Sequence, residues 1–488
     1  MVDRQSLSDR IDCTFEWLAV GENGASFPLR RDEIQIEATG TRVLLSYPGL
    51  RGYRTLRVLA IKDDGAELTI CVAGEFGRNR ETLRLIPREP AAELAANIEF
   101  ARLERANEIA KIIAETFAGA RVSRVSLSKR NGRIAHLNFA SADGQFAAIA
   151  DVTATLSHEV LLAAALDWLK LLRLRKKNPI DEVLIAAEKR QARNLQKLHG
   201  TLKAGARNGI GVLQLKNNGD APKAISLRSL ALSDLWREKP KGLKLPAKVE
   251  LSETAGGLIA HAPDKIDVIF SGRGETLRFR GLPFARVRRL MGREHAWFGL
   301  ARDRKPLNDE TRDAYHDLLD KLHRYRDPDP PEKRHELFRL ASEAWLESIL
   351  RRNIKLLDPN LILSPIYNQF RTAADKIDLL AIRSDGRLVI IELKTSPDRE
   401  MIFQAADYWR KIELQRRKGV LAAADLFNGM KIADEPTLVY AVAPALSFHR
   451  QFEEHARLLS PDLELWRWEL HENWRSEVKV IARRRFEP

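Results

Sequence analysis

Three polar residues interrupt two apolar stretches near the C-terminal end of the chain. Asp378 lies in Lys376-Ile-Asp-Leu-Leu-Ala-Ile382, and Glu392 and Lys394 end Arg387-Leu-Val-Ile-Ile-Glu-Leu-Lys394. A tight turn, Ser384-Asp385-Gly386, joins the two, so the pattern predicts a β-hairpin. Strand alternation points Glu392 and Lys394 to one face and Leu393 to the other, and Asp378 on the neighbouring strand can meet them. Two carboxylates placed in this way form a hard-oxygen pair suited to Mg2+, which takes few protein carboxylates and keeps several waters. A lysine beside them can position or deprotonate a water and stabilise negative charge in a phosphoryl transition state. The bland alternative is a surface ion pair of Glu392 with Lys394 or Asp378. Charged groups at the ends of apolar strands are costly to bury, which favours the chemical reading.

The elements around the hairpin are those such a site needs. Leu337–Arg352 reads as an amphipathic helix with Leu340, Trp345, Leu346 and Ile349 as its apolar stripe, and Glu343 and Glu347 stand one turn apart on it. Ten residues after Lys394, Gln404-Ala-Ala-Asp-Tyr408 opens a second helix. In order and spacing, roughly over Glu336–Ala443, this set resembles the PD-(D/E)xK nuclease superfamily. The Gln-x-x-x-Tyr element is similar to that of its RecB-like and NucS-like branches.

The resemblance implies a restriction-endonuclease-like αβββαβ core acting as a Mg2+-dependent endonuclease, with Mn2+ able to substitute. It implies that Glu343 is the acid of the first core helix, with Glu347 as the fallback. Asp378 and Glu392 become the metal-binding acids, with Leu393 as a further metal position, and Lys394 becomes the catalytic lysine. Gln404 and Tyr408 fall on the helix facing DNA. One departure is that Ile377, not proline, precedes Asp378.

The rest of the chain is read more coarsely. Its 488 residues suggest three or four domains. With 44% hydrophobic and 30% charged residues the composition is globular, of mixed α/β class. Residues 1–94 read as a small β-rich barrel or sandwich, with strands such as Thr41–Tyr47, Thr55–Ile61 and Glu67–Val72 between turn signals. Residues 201–335 read as a basic mixed region and linker, and 336–488 as the nuclease-like domain. Arg326–Arg334, with three prolines in four residues, is the clearest linker.

Residues 95–200 repeat the C-terminal order of elements, as a second, degenerate copy of the nuclease-like fold would, with chance similarity between two αβββα segments as the alternative. Its strands would be Ser123–Ser128, Ile134–Phe139 and Gln145–Val152, between a helix at Leu103–Phe117 and a long one at Glu159–Leu174. The chemistry does not repeat. Ala135 falls at the position of Asp378, Thr153 at Lys394, Ala163 at Gln404 and Asp167 at Tyr408, and only Asp151 keeps a carboxylate.

A net charge of +14 is compatible with a polyanionic partner. Residues 170–207 hold eleven Lys/Arg against three acids, and Arg273–Lys305 hold ten against three. In the second run Arg278 and Arg280 would share a strand face. With Arg288 they form the expected nucleic-acid contact, and solvated basic faces are the alternative. Two cysteines suit a reducing compartment and preclude a four-thiolate zinc site. With no signal peptide and no apolar run long enough to span a bilayer, the expectation is a cytoplasmic protein without a membrane partner. A homodimer is compatible with the sequence and not required by it.

There is no Walker phosphate loop, no His-x-x-x-His pair and no nucleophile elbow. Trp466 and Trp468, alternating on a strand at Glu464–Leu470, read as core or edge packing. The function expected is cleavage of nucleic acid, DNA first, in defence against foreign DNA or in repair. An inactive nucleic-acid-binding module or a protein-interaction scaffold are the rivals.

Overall fold

The computed structural model describes residues 4–486 except 15, 22–23, 40–41, 50–51, 74–79, 89–90, 130–131, 143, 177, 217–221, 241, 243–249, 273, 291–292, 301–303 and 365–377. Ile377 and Lys376 of the expected hairpin and Asp143 of the expected second turn lie outside the described residues. The chain is mixed α/β with four sheets and divides into two compact units. One comprises Met1–Gln196 and Asn208–Ser229, the other Lys197–Arg207 and Leu230–Pro488. Among the described residues no helix is long and apolar enough to cross a membrane.

The first unit begins with a seven-stranded antiparallel sheet whose inward residues, Trp17, Leu45, Ile70 and Leu85 among them, are buried around one core. This is the β-rich N-terminal region expected from alternation of apolar residues between turns. A second sheet follows helix α1 (Ala91–Thr116). Its strands are β1 (Arg121–Leu127), β2 (Ile134–Ser141), β3 (Gly144–Asp151), β4 (Val183–Glu188), β5 (Ile210–Lys216) and β6 (Lys223–Leu227). Helix α2 (His158–Arg173) connects β3 to the parallel β4 and packs on both strands. It needs to be apolar almost all round because Leu161, Ala163, Ala165 and Leu172 are fully buried. The expected boundary at residue 200 is displaced: β5 and β6, assigned from sequence to the basic middle region, complete this sheet. Strand β5 is largely buried and lacks the alternation by which an isolated strand is recognised, and β6 is a short, mostly exposed edge strand.

His136 on β2 stacks on Trp168 of α2 at 4.4 Å, and burial lowers its pKa from 6.5 to about 4. A histidine kept neutral by the fold stabilises it fully above pH 6.5. That stability is lost as the pH falls from 6.5 towards 4, because the unfolded chain takes up the proton first. Thermal melts between pH 7 and 4.5 are expected to show a decline that His136→Phe reduces by about 2 kcal/mol.

The second unit holds a five-stranded antiparallel sheet, Ile266–Ser271 through Lys305–Pro306, with the helix Arg312–Tyr325 on its core. It also holds the C-terminal sheet. Here the expected helix Leu337–Arg352 is broken: a short turn at Glu336–Arg339 is separated from α3 (Ser342–Arg352) by Ala341 in the left-handed region. The cause is Arg326, the first residue of the expected linker. Its side chain is fully buried over the Trp345 ring and donates to the carbonyls of Phe279, Arg280, Leu337, Leu340 and Ala341. Five carbonyls gathered on one guanidinium leave the helix carbonyls at the break satisfied, so the break is stable. Leu340 consequently turns out of the apolar stripe and is 37% exposed. At the hairpin turn Arg280-Gly281 both residues have positive φ, and a Cβ on Gly281 would lie 2.0 Å from the Ala344 carbonyl. Only glycine lets this turn press on the start of α3.

The remaining strands are β7 (Leu361–Leu363), β8 (Leu379–Arg383), β9 (Leu388–Leu393), β10 (Leu438–Pro444), β11 (Leu465–Leu470) and β12 (Val480–Phe486), with α4 (Met401–Arg417) between β9 and β10. The neighbour sequence β7 to β12 pairs antiparallel, antiparallel, parallel, parallel and antiparallel. The sheet β1 to β6 pairs in the same order and the same senses. Both sheets follow a helix, and both carry a long helix between the third and fourth strands.

Candidate active site at the end of β9

Strand β9 is buried throughout, and its last polar group, Glu392, is 2% exposed. Leu393 sends its side chain into the apolar core shared with Trp345 and Leu346 of α3, as alternation requires. Its N–H donates to Asp378 Oδ2 at 2.8 Å. The β8–β9 register, Leu379 opposite Ile391, places Asp378 opposite Glu392 at the open end of the hairpin.

Lys394 Nζ lies 3.0 Å from Glu392 Oε1, 3.5 Å from Asp398 and 3.8 Å from Glu343 at the start of α3. The hydroxyls of Ser342 and Thr395, 2.5 Å apart, tie the same turn of α3 to the residue after Lys394. The structure therefore brings Glu343, Asp378, Glu392 and Lys394 together.

Burial dominates the electrostatics. It pushes the Glu392 carboxyl well above the carboxylate range, with the neighbouring Asp378 acting in the same direction. Asp378 itself is raised to about 7, first by burial and then by Glu347, against the Leu393 N–H bond. Glu343 is raised chiefly by burial. Burial opposes charge on Lys394, but Glu392, Glu343 and Asp398 outweigh it and hold the ammonium protonated. As positioned, Lys394 is a fixed positive charge rather than a base.

Glu392 Oε2 is buried without a hydrogen-bond partner among the described residues. An unpartnered carboxylate oxygen facing a second acid is the start of a donor set for a small hard cation; Asp378 and Glu392 are the pair that would hold one, and Glu343 joins them through Lys394.

Glu347, the fallback acid, is committed elsewhere. Its carboxylate accepts from Arg278 at 3.3 Å, and Arg278 also pairs with Asp267. Arg351 closes the cluster, 3.0 Å from Asp267 and 4.0 Å from Glu347. This corrects the expected role of Arg278: the side chain is 3% exposed, and two carboxylates hold it away from any phosphate. Arg280 donates to the Arg326 carbonyl and pairs with Asp327 at 3.1 Å, so it secures the turn at Gly281. Arg288 is half-buried, with Nε buried and unpartnered among the described residues. Two arginines of the basic run, Arg278 and Arg280, are spent on internal ion pairs. Strand alternation could not show this, because it gives a side chain's face but not what covers that face.

Gln404 and Tyr408 lie one turn apart on α4, which packs on β9 and β10. Gln404 Oε1 is buried without a partner among the described residues, and Lys411 stands over the Tyr408 ring at 5.6 Å. Asp398 was missed from sequence. It lies in the loop after β9, accepts from the Glu400 N–H at 2.7 Å and faces Lys394. Its one signal is a spacing of four from Lys394, which carries no meaning outside a helix.

In the first unit Asp151 ends β3 as Glu392 nearly ends β9, but its register partner is Ile134. The expected match of Ala135 to Asp378 therefore moves by one residue, since the β2–β3 turn has two residues and the β8–β9 turn three. The Asp151 carboxylate is saturated: Oδ1 accepts from the N–H and hydroxyl of Thr153, and Oδ2 from the Leu156 N–H, all at 2.8 Å. With no facing acid and no spare oxygen it lacks the donor set found at Glu392. Asp151→Ala is expected to cost about 1–3 kcal/mol in denaturant melts, because a charged acceptor of three bonds is lost. It should leave any cleavage rate within twofold.

Comparison of the chain with family models, with curated proteins and with solved structures finds no match.

Proposed function

We propose that the chain is a divalent-metal-dependent nuclease of PD-(D/E)xK type that cuts phosphodiester bonds, DNA first, at the cluster Glu343, Asp378, Glu392 and Lys394. The observation that carries this reading is the unpartnered Oε2 of the buried Glu392, opposite Asp378 and beside a lysine held protonated. A bound Mg2+ would supply a Lewis acid for a phosphate oxygen and a water acidified enough to attack. Asp378 and Glu392 would hold the cation, with Glu343 of α3 as the third acid of the cluster. Lys394 presents its charge to the phosphate oxygens as negative charge develops there. Gln404 and Tyr408 contact the strand from α4. The mixed α/β sheet with helices before β7 and after β9 is consistent with the restriction-endonuclease-like core implied by the sequence.

Titration with Mn2+ followed by calorimetry tests the metal site without any substrate. The chain is expected to bind Mn2+, and Asp378→Asn and Glu392→Gln each to weaken binding at least tenfold. Equal affinity in all three proteins would remove the cluster as the metal site.

A further inference from the structure

The C-terminal sheet carries a concave site whose lining includes none of the carboxylate cluster. A cavity of about 240 Å3 opens at the far end of the β8–β9 hairpin, lined by Asp358, Arg383, Ser384, Trp466, Trp468 and Arg483. It lies five residues along β8 from Asp378, roughly 17 Å at the rise of a strand.

Three features of its wall point to one ligand chemistry. Trp466 and Trp468 alternate on β11 and face the same side as Arg485 and Arg483 of β12, their register partners. Trp468 is 3% exposed and packs on Tyr440, yet its indole Nε1 is buried without a hydrogen-bond partner among the described residues. A buried N–H of this kind calls for an acceptor that the protein does not supply. Arg483 is exposed, lies 6.0 Å from the Trp468 ring and has no acidic partner among the described residues. Arg383 sits across the cavity, anchored by Asp385. The Asp358 carboxylate accepts from Asn360 and Tyr440, and the lining sets two guanidinium groups, Arg383 and Arg483, against this one acid.

Indole faces, an unsatisfied N–H and paired guanidinium groups suit a planar heteroaromatic ring bearing acceptors and joined to a phosphate. The volume, below the range of drug-sized sites, accommodates one such unit and not two. We infer that this cavity binds a single nucleoside monophosphate unit, with its base against the half-buried Trp466 beside the buried Trp468 and its phosphate on Arg483 and Arg383. The unit comes either from a free nucleotide or from the unstacked residue of a strand. The sequence reading of Trp466 and Trp468 as packing residues holds for Trp468 and is incomplete for the half-buried Trp466. The site stands whether or not the carboxylates cut.

Intrinsic tryptophan fluorescence of the full chain, titrated with AMP, GMP, CMP and UMP in EDTA, tests the assignment. Inorganic phosphate, adenosine and a six-residue single-stranded oligonucleotide serve as further arms. Mononucleotides are expected to quench saturably at least tenfold more tightly than phosphate or adenosine. Arg483→Glu and the rim-filling Ser384→Trp should each weaken them at least tenfold. Both residues are exposed, so circular dichroism should be unchanged. Glu392→Gln should bind as the unmodified chain does, which separates this site from the cleavage site. Tighter binding of the oligonucleotide, lost in the same variants, assigns the unit to a strand; binding of mononucleotides alone assigns it to the free pool. Absence of saturable quenching by every nucleotide and by the oligonucleotide overturns the inference, as does quenching that neither Arg483→Glu nor Ser384→Trp alters.

Discussion

Glu392→Gln and Asp378→Asn are expected to lower the rate of nucleic-acid cleavage by at least 1,000-fold each. Each substitution removes a negative oxygen donor from the cluster while keeping side-chain size. Losing one transition-state contact of this kind costs about 10²–10³ in rate, and loss of the metal costs more. Lys394→Met should fall at least 100-fold, because its ammonium is the nearest fixed positive charge, 3.0 Å from Glu392. The fold should persist: Glu392 Oε2 makes no bond among the described residues, and burial already disfavours the ionised carboxylate, so Glu392→Gln places a neutral group there and removes no hydrogen bond to that oxygen. A melting temperature in EDTA equal to or above that of the unmodified chain, together with abolished cutting, is the expected pair of results. Single-turnover rates and thermal melts on the same preparations check both.

The second large effect lies at Arg278. This side chain is the cation between Asp267 and Glu347, and with Arg351 it balances two carboxylates in a nearly dry cluster. Arg278→Met leaves that pair with Arg351 alone. Breaking a buried ion pair from one side costs about 3–5 kcal/mol, because the surviving charges remain desolvated. A loss of that size should appear in urea unfolding as a lower midpoint with an unchanged slope. The same substitution distinguishes the buried role from the surface role expected on sequence grounds. A phosphate contact would alter the salt dependence of binding and leave stability alone.

The residues of the candidate cluster were visible in the sequence because they break a local rule. Asp378, Glu392 and Lys394 are charged positions in apolar strands, and the Asp-Gly turn at 385–386 sets their register. Gly386 has φ +87°, and a Cβ there would lie 2.8 Å from the Lys431 carbonyl, so the turn residue was specific as well as visible. The order of elements in residues 95–200 was readable for the same reason, through its turn and its apolar α2.

What escaped depends on contacts between distant segments. Arg326 looked like the start of a proline-rich linker, and nothing in its neighbours foretells that five carbonyls converge on it. The helix break at Ala341 follows from that convergence and not from local propensity, since Leu337–Arg352 contains no proline or glycine. β5 and β6 escaped because a strand added to a buried sheet is identified by its neighbours rather than by its own pattern. Asp398 escaped because loop side chains have no period.

Cleavage by the full chain decides the central claim most directly. Labelled single- and double-stranded DNA and RNA would be incubated with the chain in Mg2+, in Mn2+ and in EDTA, with Glu392→Gln run beside it. The expected result is cutting of at least one substrate in Mg2+ or Mn2+, absent in EDTA and absent in Glu392→Gln. Cutting that survives both EDTA and Glu392→Gln, or intact substrates under every metal condition, would contradict it.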